Sequence, residues 1–381
     1  MSAVKPLGGR LFTPAFVISG ALVALAFYYL AERFVFGLGS VTNLNGGYPW
    51  GIWVVWDIVI GTALGCGGYA LALTVYVFNK GEYHPLVRPA VTASMLGYAM
   101  GGFSAFFDMG RWWQFYNIAL PWHMNFNSVM LEVALCVTAY IVILVIEFLP
   151  AVLERLGLKT LLWWLNKVLF LIIALGVLLP TMHQSSLGSL LIAGGYKVSP
   201  LWQSYHMQPL LAVITALAMG FAIVIYEASV STTGFGRPSE TPLLAKLGKV
   251  IAGLLIAYFA VRFGELAVNG KLGLIFKGDW DSLWFLLETV LYAVPLAVLL
   301  NARLRQNGRA LLFAAISLLS AAILYRLNAF LITYDPGPGY SYFPAFPEVM
   351  VTIGLIALEV GAWLFFVKTL PVLHDAGTHK A

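Results

Sequence analysis

Long apolar segments alternate with short polar segments along almost the whole chain. A helix needs about 20 apolar residues to cross the hydrocarbon core of a bilayer. The pattern therefore predicts ten membrane-spanning helices. These are residues 15–36, 52–78, 86–107, 126–149, 166–184, 208–230, 246–269, 282–301, 308–332 and 348–370. We expect an all-α integral membrane protein, with residues 1–381 forming a single polytopic membrane domain.

Composition supports this interpretation. The 381 residues are 60% hydrophobic and only 10% charged, whereas an ordinary soluble domain is about 25% charged. With so few charged residues, the chain has no room for a large soluble domain. The net charge of +5 does not indicate nucleic acid, because the basic residues stand in short loops between apolar runs. The first run lacks a small-residue cleavage site, so we interpret it as a retained helix.

The basic residues also predict the orientation of the chain. Of the 22 lysines and arginines, fifteen fall on one side of the alternation, four on the other and three inside spans. Cytoplasmic loops are the ones enriched in Lys and Arg. We therefore expect a multi-pass protein with both termini in the cytoplasm and an even number of spans.

The segments on the other side are longer, aromatic and rich in Pro and Gly: 37–51, 108–125, 183–207 and 333–347. Two interpretations stay open for them. Their tryptophans suit the aromatic belt at a membrane surface. Uncharged, turn-rich loops of this size equally suit the docking of an external partner.

Ionisable residues inside predicted spans are the first candidates for function, because each costs at least about 2.5–3.5 kcal/mol to insert. Asp57, Asp108, Glu132 and His183 are all predicted in the outer halves of the first spans. Glu132 lies about six residues, or roughly 9 Å, into its span. We expect these four side chains to form one polar cluster.

Further carboxylates lie near the inner ends of the spans. Glu147 and Glu227 are the two in question, and Glu147 projects from a face similar to that of Glu132, roughly 22 Å deeper. A proton route toward the outer cluster needs groups placed in this way, although Glu147 equally suits a helix-end residue. Arg262 is expected to pair with Glu265 three positions later. Arg326 is expected to pair with one of two glutamates, Glu288 or Glu359.

Haem and metal chemistry have little support in the sequence. None of the six histidines falls in the middle of a predicted span, and a bis-histidine haem needs histidines facing each other from helices. One haem near His123, His183 and His206 stays open. Both cysteines, Cys66 and Cys136, are interpreted as packing residues. We expect no metal site and no nucleotide-binding pattern.

Several long strings resemble a known family. They include FGLGSVTNLNGGYPWGIW (36–53), VYVFNKGEYHPLVRPA (75–90), LLPTMHQSSLGSL (178–190) and PGPGYSYFP (336–344). Together they resemble the membrane subunits of nickel–iron hydrogenases of the hydrogenase-2 type, within the NrfD or polysulfide-reductase membrane-subunit family. The similarity runs through nearly the whole chain.

The resemblance implies a core of two four-helix bundles in the bacterial inner membrane. It implies electron exchange with a quinone, either menaquinone or ubiquinone, without haem. The partners it implies are a periplasmic four-cluster ferredoxin-like subunit and the hydrogenase small and large subunits. Any hydrogen-activating metal belongs to those partners.

Residue roles follow from combining the resemblance with the intramembrane charges. We expect a quinone site near the outer face, built from His183, Asp57, Asp108, Arg111 and His123. Glu132 is the expected proton carrier, with Glu147 and Glu227 further along the route. Three alternatives remain: a haem-bearing b-type cytochrome subunit, a secondary transporter and a passive membrane anchor.

Overall fold

The computed structural model describes residues 6–373. Within them, ten helices are long and apolar enough to cross a membrane. They are Pro14–Phe36 (α1), Trp53–Val77 (α2), Gly81–Asp108 (α3), Val129–Leu156 (α4), Lys159–Lys197 (α5), Gln208–Phe235 (α6), Thr241–Val268 (α7), Trp280–Leu300 (α8), Gly308–Ile332 (α9) and Phe346–Thr369 (α10). The predicted all-α membrane fold with ten spans is confirmed.

The helices pack as two four-helix bundles and one outlying pair. Helices α2, α3, α4 and α5 form the first bundle, and α6, α7, α8 and α9 form the second. Helices α5 and α6 join the bundles, together with contacts from α2 to α6. The pair α1 and α10 packs together and lies against α3. The core expected from the family resemblance is therefore present.

The chain alternates between two ends of the molecule. The end that holds residues 37–52, 109–128, 198–207, 269–279 and 333–345 is called the outer end. The inner end holds residues 78–80, 157–158, 236–240 and 301–307. The inner end is the one that the basic residues predict to be cytoplasmic.

Two outer segments form one structured cap. Asn43 donates its side-chain amide to the carbonyl of Phe343 at 3.0 Å, and Asn45 donates to the carbonyl of Ser341 at 2.8 Å. The indole of Trp50 donates to the carbonyl of Phe330 at 2.8 Å. Residues 37–52 and 333–345 thus form a fixed surface, because side chains of the first segment satisfy backbone carbonyls of the second.

Helix α2 is irregular along its length. Its first turns, Trp53–Ile60, and its last, Leu73–Val77, are π-helical, and the helix is interrupted at Gly65 and Cys66. Short π segments are frequent at functional sites. A Cβ on Gly65 would lie 2.7 Å from the ring of Tyr98 on α3. The glycines of α2 therefore permit close packing with α3, because small residues let helix backbones approach each other in a membrane.

The contact between the two bundles also depends on a glycine. A Cβ on Gly220 of α6 would lie only 2.4 Å from the backbone oxygen of Cys66 on α2. No side chain fits there without moving one bundle away from the other.

We predict that Gly220→Val lowers the melting temperature of the purified protein in detergent, because overpacking a tight contact costs about 1–3 kcal/mol. The matched control is Gly253→Val on α7, where a Cβ meets nothing within 4 Å. Differential scanning fluorimetry of both variants measures the effect. Equal melting temperatures for the two would contradict this account of the interface.

Candidate functional site

A polar network centred on His183 lies inside the first bundle. The His183 side chain is fully buried, and its Nδ1 lies 3.1 Å from the carbonyl of Leu179. A carbonyl only accepts, so Nδ1 carries the proton and Nε2 is an acceptor. The hydroxyl of Tyr98, on α3, lies 3.0 Å from that Nε2. Tyr98 and His183 therefore form a buried phenol–imidazole pair.

Gln184 extends this network toward the second bundle. Its amide nitrogen lies 3.1 Å from His183 Nε2 and donates to Thr62 Oγ1 at 3.1 Å. Gln184 also lines a narrow cavity of about 10 Å³ between the bundles, together with Gln208 and Arg326. The network thus continues from the first bundle to the boundary between the two.

The position of His183 corrects the sequence prediction. Helix α5 was expected to end at residue 184, with His183 at the outer surface. Its regular part continues to Gly194, which places His183 about 16 Å inward of that end. The statement that no histidine falls mid-span was therefore wrong. Apart from Gln184, the residues between His183 and Gly194 are apolar or small, and they continue the helix.

A second polar cluster lies beside the first bundle, toward α1 and α10. Asp57 of α2 is 6% exposed and accepts a hydrogen bond from Ser104 of α3 at 2.8 Å. Asp108 ends α3. The guanidinium of Arg33, from α1, is buried and donates to the carbonyls of Phe107 and Met109, on either side of Asp108. Arg33 therefore caps α3 and supplies positive charge beside Asp108.

The outer cap closes over this cluster. Glu348 of α10 accepts hydrogen bonds from the Tyr342 hydroxyl at 2.6 Å and from the backbone of Asn43 at 3.0 Å. Burial, together with the bond to Glu348, raises the pKa of the Tyr342 phenol. The phenol therefore stays a donor, and it holds the 333–345 segment on α10.

The second bundle has its own buried network. Glu288 of α8 accepts from Trp202 at 2.8 Å, from Asn328 at 2.9 Å and from Tyr258 at 3.2 Å. The guanidinium of Arg262 stacks over Phe285 at 5.4 Å. These bonds satisfy the Glu288 carboxylate through neutral donors.

The expected arginine pairs do not form as direct ion pairs. Arg262 bonds to Ser204 at 3.4 Å, not to Glu265. Arg326 bonds to the carbonyls of Val59 and Ala322 and to Thr215. Both arginines lie in the outer half of the bundles. Their hydrogen-bond acceptors there are backbone carbonyl and hydroxyl oxygens, not carboxylates. The predicted pairings with Glu265, Glu288 or Glu359 were therefore wrong.

The single outer cluster predicted from the sequence separates into several places. Asp57 and Asp108 lie together, but His183 lies in the other network, since Tyr98 projects about 100° away from the α3 face that Asp57 contacts. Arg111 and His123 are exposed in the 109–128 segment and bond to neither group. Glu132 is exposed in the first turn of α4. Its predicted position, six residues into the span, was wrong because α4 begins at Val129, three residues later than expected.

The inner carboxylates are partly buried. Glu147 lines a cavity at the inner end of the first bundle, together with Arg88. Glu227 lines a separate inner cavity, between α3 and α6. One carboxyl oxygen of Glu147 is buried without a hydrogen-bond partner among residues 6–373, and the Glu227 carboxyl lies beside the indole of Trp363. Both carboxylates therefore line cavities at the inner end.

The comparison with known families agrees with this architecture. Residues 40–334 match the family described as Polysulphide reductase, NrfD. The chain belongs to the NrfD family. The matched range covers all eight helices of the two bundles.

Individual relatives of this NrfD chain are similar over most of their length. It is 48% identical to the "Probable Ni/Fe-hydrogenase 2 b-type cytochrome subunit" of Escherichia coli K12, over 99% of this chain and 98% of the relative. It is 26% identical to the "Menaquinone reductase, integral membrane subunit" of Nitratidesulfovibrio vulgaris Hildenborough, over 77% of this chain and 73% of the relative.

The name of the E. coli relative describes a b-type cytochrome. We therefore asked whether the side chains of this NrfD chain could bind a haem. Two facing imidazoles would be needed within the membrane. Among the described histidines, His84, His123 and His206 are exposed, and both ring nitrogens of His183 have protein partners. His374 and His379 lie outside the described residues. The described side chains do not fit a bis-histidine haem, and none of them form a group of three or more metal-ligating residues.

Sequence reasoning missed several residues of this site. Tyr98 and Gln184 are uncharged, so a search for intramembrane charge passes over them. Gln184 directly follows His183, and a polar pair in an apolar run is the signal that was available. Arg33 was assigned to a span without a role, because its partners are backbone carbonyls that no sequence pattern reveals.

Proposed function

We propose that this chain is the quinone-reactive membrane subunit of a respiratory nickel–iron hydrogenase complex. It passes electrons between an iron–sulfur subunit at the outer end and the quinone pool. The buried Tyr98–His183 pair carries the proposal, because it supplies the proton chemistry that a quinone needs inside the membrane. The relatives named for hydrogenase 2 and for menaquinone reductase support the assignment.

The pair suits the protonation of a quinone oxygen. Reduction of a quinone consumes two electrons and two protons, which form the two O–H bonds of the quinol. Tyr98 would donate its hydroxyl proton to the carbonyl oxygen and recover a proton through His183. The imidazole suits this role because its Nε2, which carries no proton while Nδ1 donates to Leu179, can take up a proton and pass it to Tyr98.

Glu132 belongs to the rim of this site in the proposal. Glu132, Cys136 and Tyr140 recur every four residues on α4 and share one face. The ring of Tyr140 packs on that of Tyr98 with centroids 4.6 Å apart. Glu132 lies two turns, or about 12 Å, further out, where a quinone arriving from lipid would pass it. The exposed carboxyl can exchange protons there.

The outer cap is the proposed docking surface for the iron–sulfur subunit. Residues 37–52 and 333–345 are held to each other by hydrogen bonds and lie above Asp57 and Asp108. Electrons from the hydrogenase subunits would arrive at this end. In this proposal the protein lies in the bacterial inner membrane with both termini cytoplasmic, as the basic inner end supports.

A secondary transporter is the alternative that the interruption of α2 favours. Such transporters pair broken helices at matching positions of two repeats. The corresponding first helix of the second bundle, α6, is continuous over Gln208–Phe235. A passive anchor is the other alternative. It would not need the buried polar networks of both bundles, which are costly to place in a membrane.

We predict that Tyr98→Phe lowers hydrogen-dependent quinone reduction by the complex about a hundredfold, since a positioned acid contributes at least that much. Hydrogen oxidation with a soluble dye should not change, because the dye bypasses the membrane subunit. Tyr226→Phe, the same change on the outside of α6, is the control. Full quinone activity in Tyr98→Phe would remove the pair from the mechanism.

We predict that Glu132→Gln abolishes quinone-linked hydrogen oxidation and leaves the soluble-dye activity intact. The amide keeps the shape of the side chain and cannot carry a proton. Both rates are measured on the same membranes. If quinone-linked turnover survives in Glu132→Gln, this carboxyl is not the carrier.

We predict that the purified membrane subunit shows no stoichiometric haem in a pyridine haemochrome spectrum and yields quinone on organic extraction. The reason is the lack of a second described histidine beside His183. One haem per chain would instead favour the b-type cytochrome, with His123, His183 and His206 as the ligands to replace.

A further inference from the structure

One face of α3 runs continuously from the inner to the outer end. Leu86, Gly97, Gly101, Ser104 and Asp108 fall within an arc of about 60° on this helix. They span 22 residues, or about 33 Å, close to the roughly 30 Å of a hydrocarbon core. Helices α2 and α10 pack against this part of α3.

Four carboxylates follow that face. Glu227 shares a cavity with Leu86 and Pro89 at the inner end. A Cβ on Gly97 would lie 3.4 Å from Oε1 of Glu359, which is on α10. One turn further out, a Cβ on Gly101 would lie 2.9 Å from the backbone oxygen of Asp57.

The series ends at the cluster already described. Ser104 holds the Asp57 carboxylate, and Asp108 ends α3. The two glycines therefore leave room for groups from other helices to reach α3. Glu359 occupies the middle position, between the inner carboxylate and the outer pair.

Helix α10 presents a matching polar face. Glu348, Thr352, Glu359 and Trp363 fall within an arc of about 60° on α10. Glu359 lies 13 residues from the start of this helix and ten from its end. It therefore stands near the middle of the membrane, where a carboxylate without a function is costly.

Buried polar atoms lie along the same faces of α3 and α10. Thr352 Oγ1 and Asp108 Oδ1 have no hydrogen-bond partner among residues 6–373, and the indole of Trp363 lies beside the Glu227 carboxyl. Thr352 is only 6% exposed, and it lies between Glu348 and Glu359 on the α10 face. Nearly all buried polar atoms in native proteins bond to protein or to ordered water. These faces of α3 and α10 have the polar partners that bound water needs.

We infer that Glu359 relays protons, through water held between α3 and α10, from Glu227 at the inner end to Asp57 in the outer half. The inference rests on the proposed function. One proton taken up at the inner end joins the two electrons delivered from the outer end at the quinone, and Glu132 supplies the second proton from the outer rim. Trp363 positions the Glu227 carboxyl and does not relay protons, because an indole N–H only donates.

The route has a consequence for energy conversion. Electrons entering from the outer end and a proton entering from the inner end meet at one quinone, so each turnover moves charge across the membrane. Uptake of both protons from the outer end would move none.

The test uses the whole hydrogenase complex reconstituted in vesicles with a menaquinone analogue. A pH dye on the side of the inner end reports proton uptake during hydrogen oxidation. Glu359→Gln should lower both quinone reduction and that uptake about tenfold or more. Glu359→Asp, which retains a carboxyl, should restore most of both. Glu32→Gln, a half-buried glutamate of α1, is the control.

Wild-type quinone reduction and uptake in Glu359→Gln would overturn the inference. So would an equal loss in the Gln and Asp variants, because it would assign Glu359 a packing role. If wild-type vesicles reduce no quinone while dye reduction persists, the proposed function itself fails. That outcome is seen before any variant is measured.

Discussion

Hydrocarbon offers no hydrogen bonds, and every polar group inside this protein must therefore find its partner within the protein or in water that the protein holds. Arg33 meets the constraint by capping α3 at Phe107 and Met109. Glu288 meets it with three neutral donors. The buried polar groups occur as networks between helices, and these networks position the helices as firmly as the glycine contacts do.

The same constraint links the fold to the proposed chemistry. The His183 network lies inside the first bundle, and the Asp57 cluster lies on the other side of the α2–α3 pair. Glycines at 65, 97 and 101 bring the backbones close enough for both groups to form. Asp57 lies in the first π-helical segment of α2. The pair α2 and α3 thus separates the proposed quinone site from the row of carboxylates proposed to relay protons.

Much of this arrangement was predictable from hydropathy and charge. The ten spans and the roles of the α2 and α3 glycines follow from apolar length and small-residue spacing. The helix ends do not, and His183 and Glu132 were misplaced for that reason. The mostly apolar and small residues after His183 are compatible with either a loop or a helix. The start of α4 depends on the N-cap at Ser128. Networks such as Tyr98–His183–Gln184 join three helices, and no local pattern specifies which residues meet.

The most direct test of the account is where quinone binds. An azido-quinone activated by light in the reconstituted complex forms a covalent bond with the nearest side chains, and mass spectrometry locates them. The account predicts labelled peptides from α3 near Tyr98, from α4 near Glu132 or from α5 near His183. Labelling confined to the second bundle, α6 to α9, would contradict it.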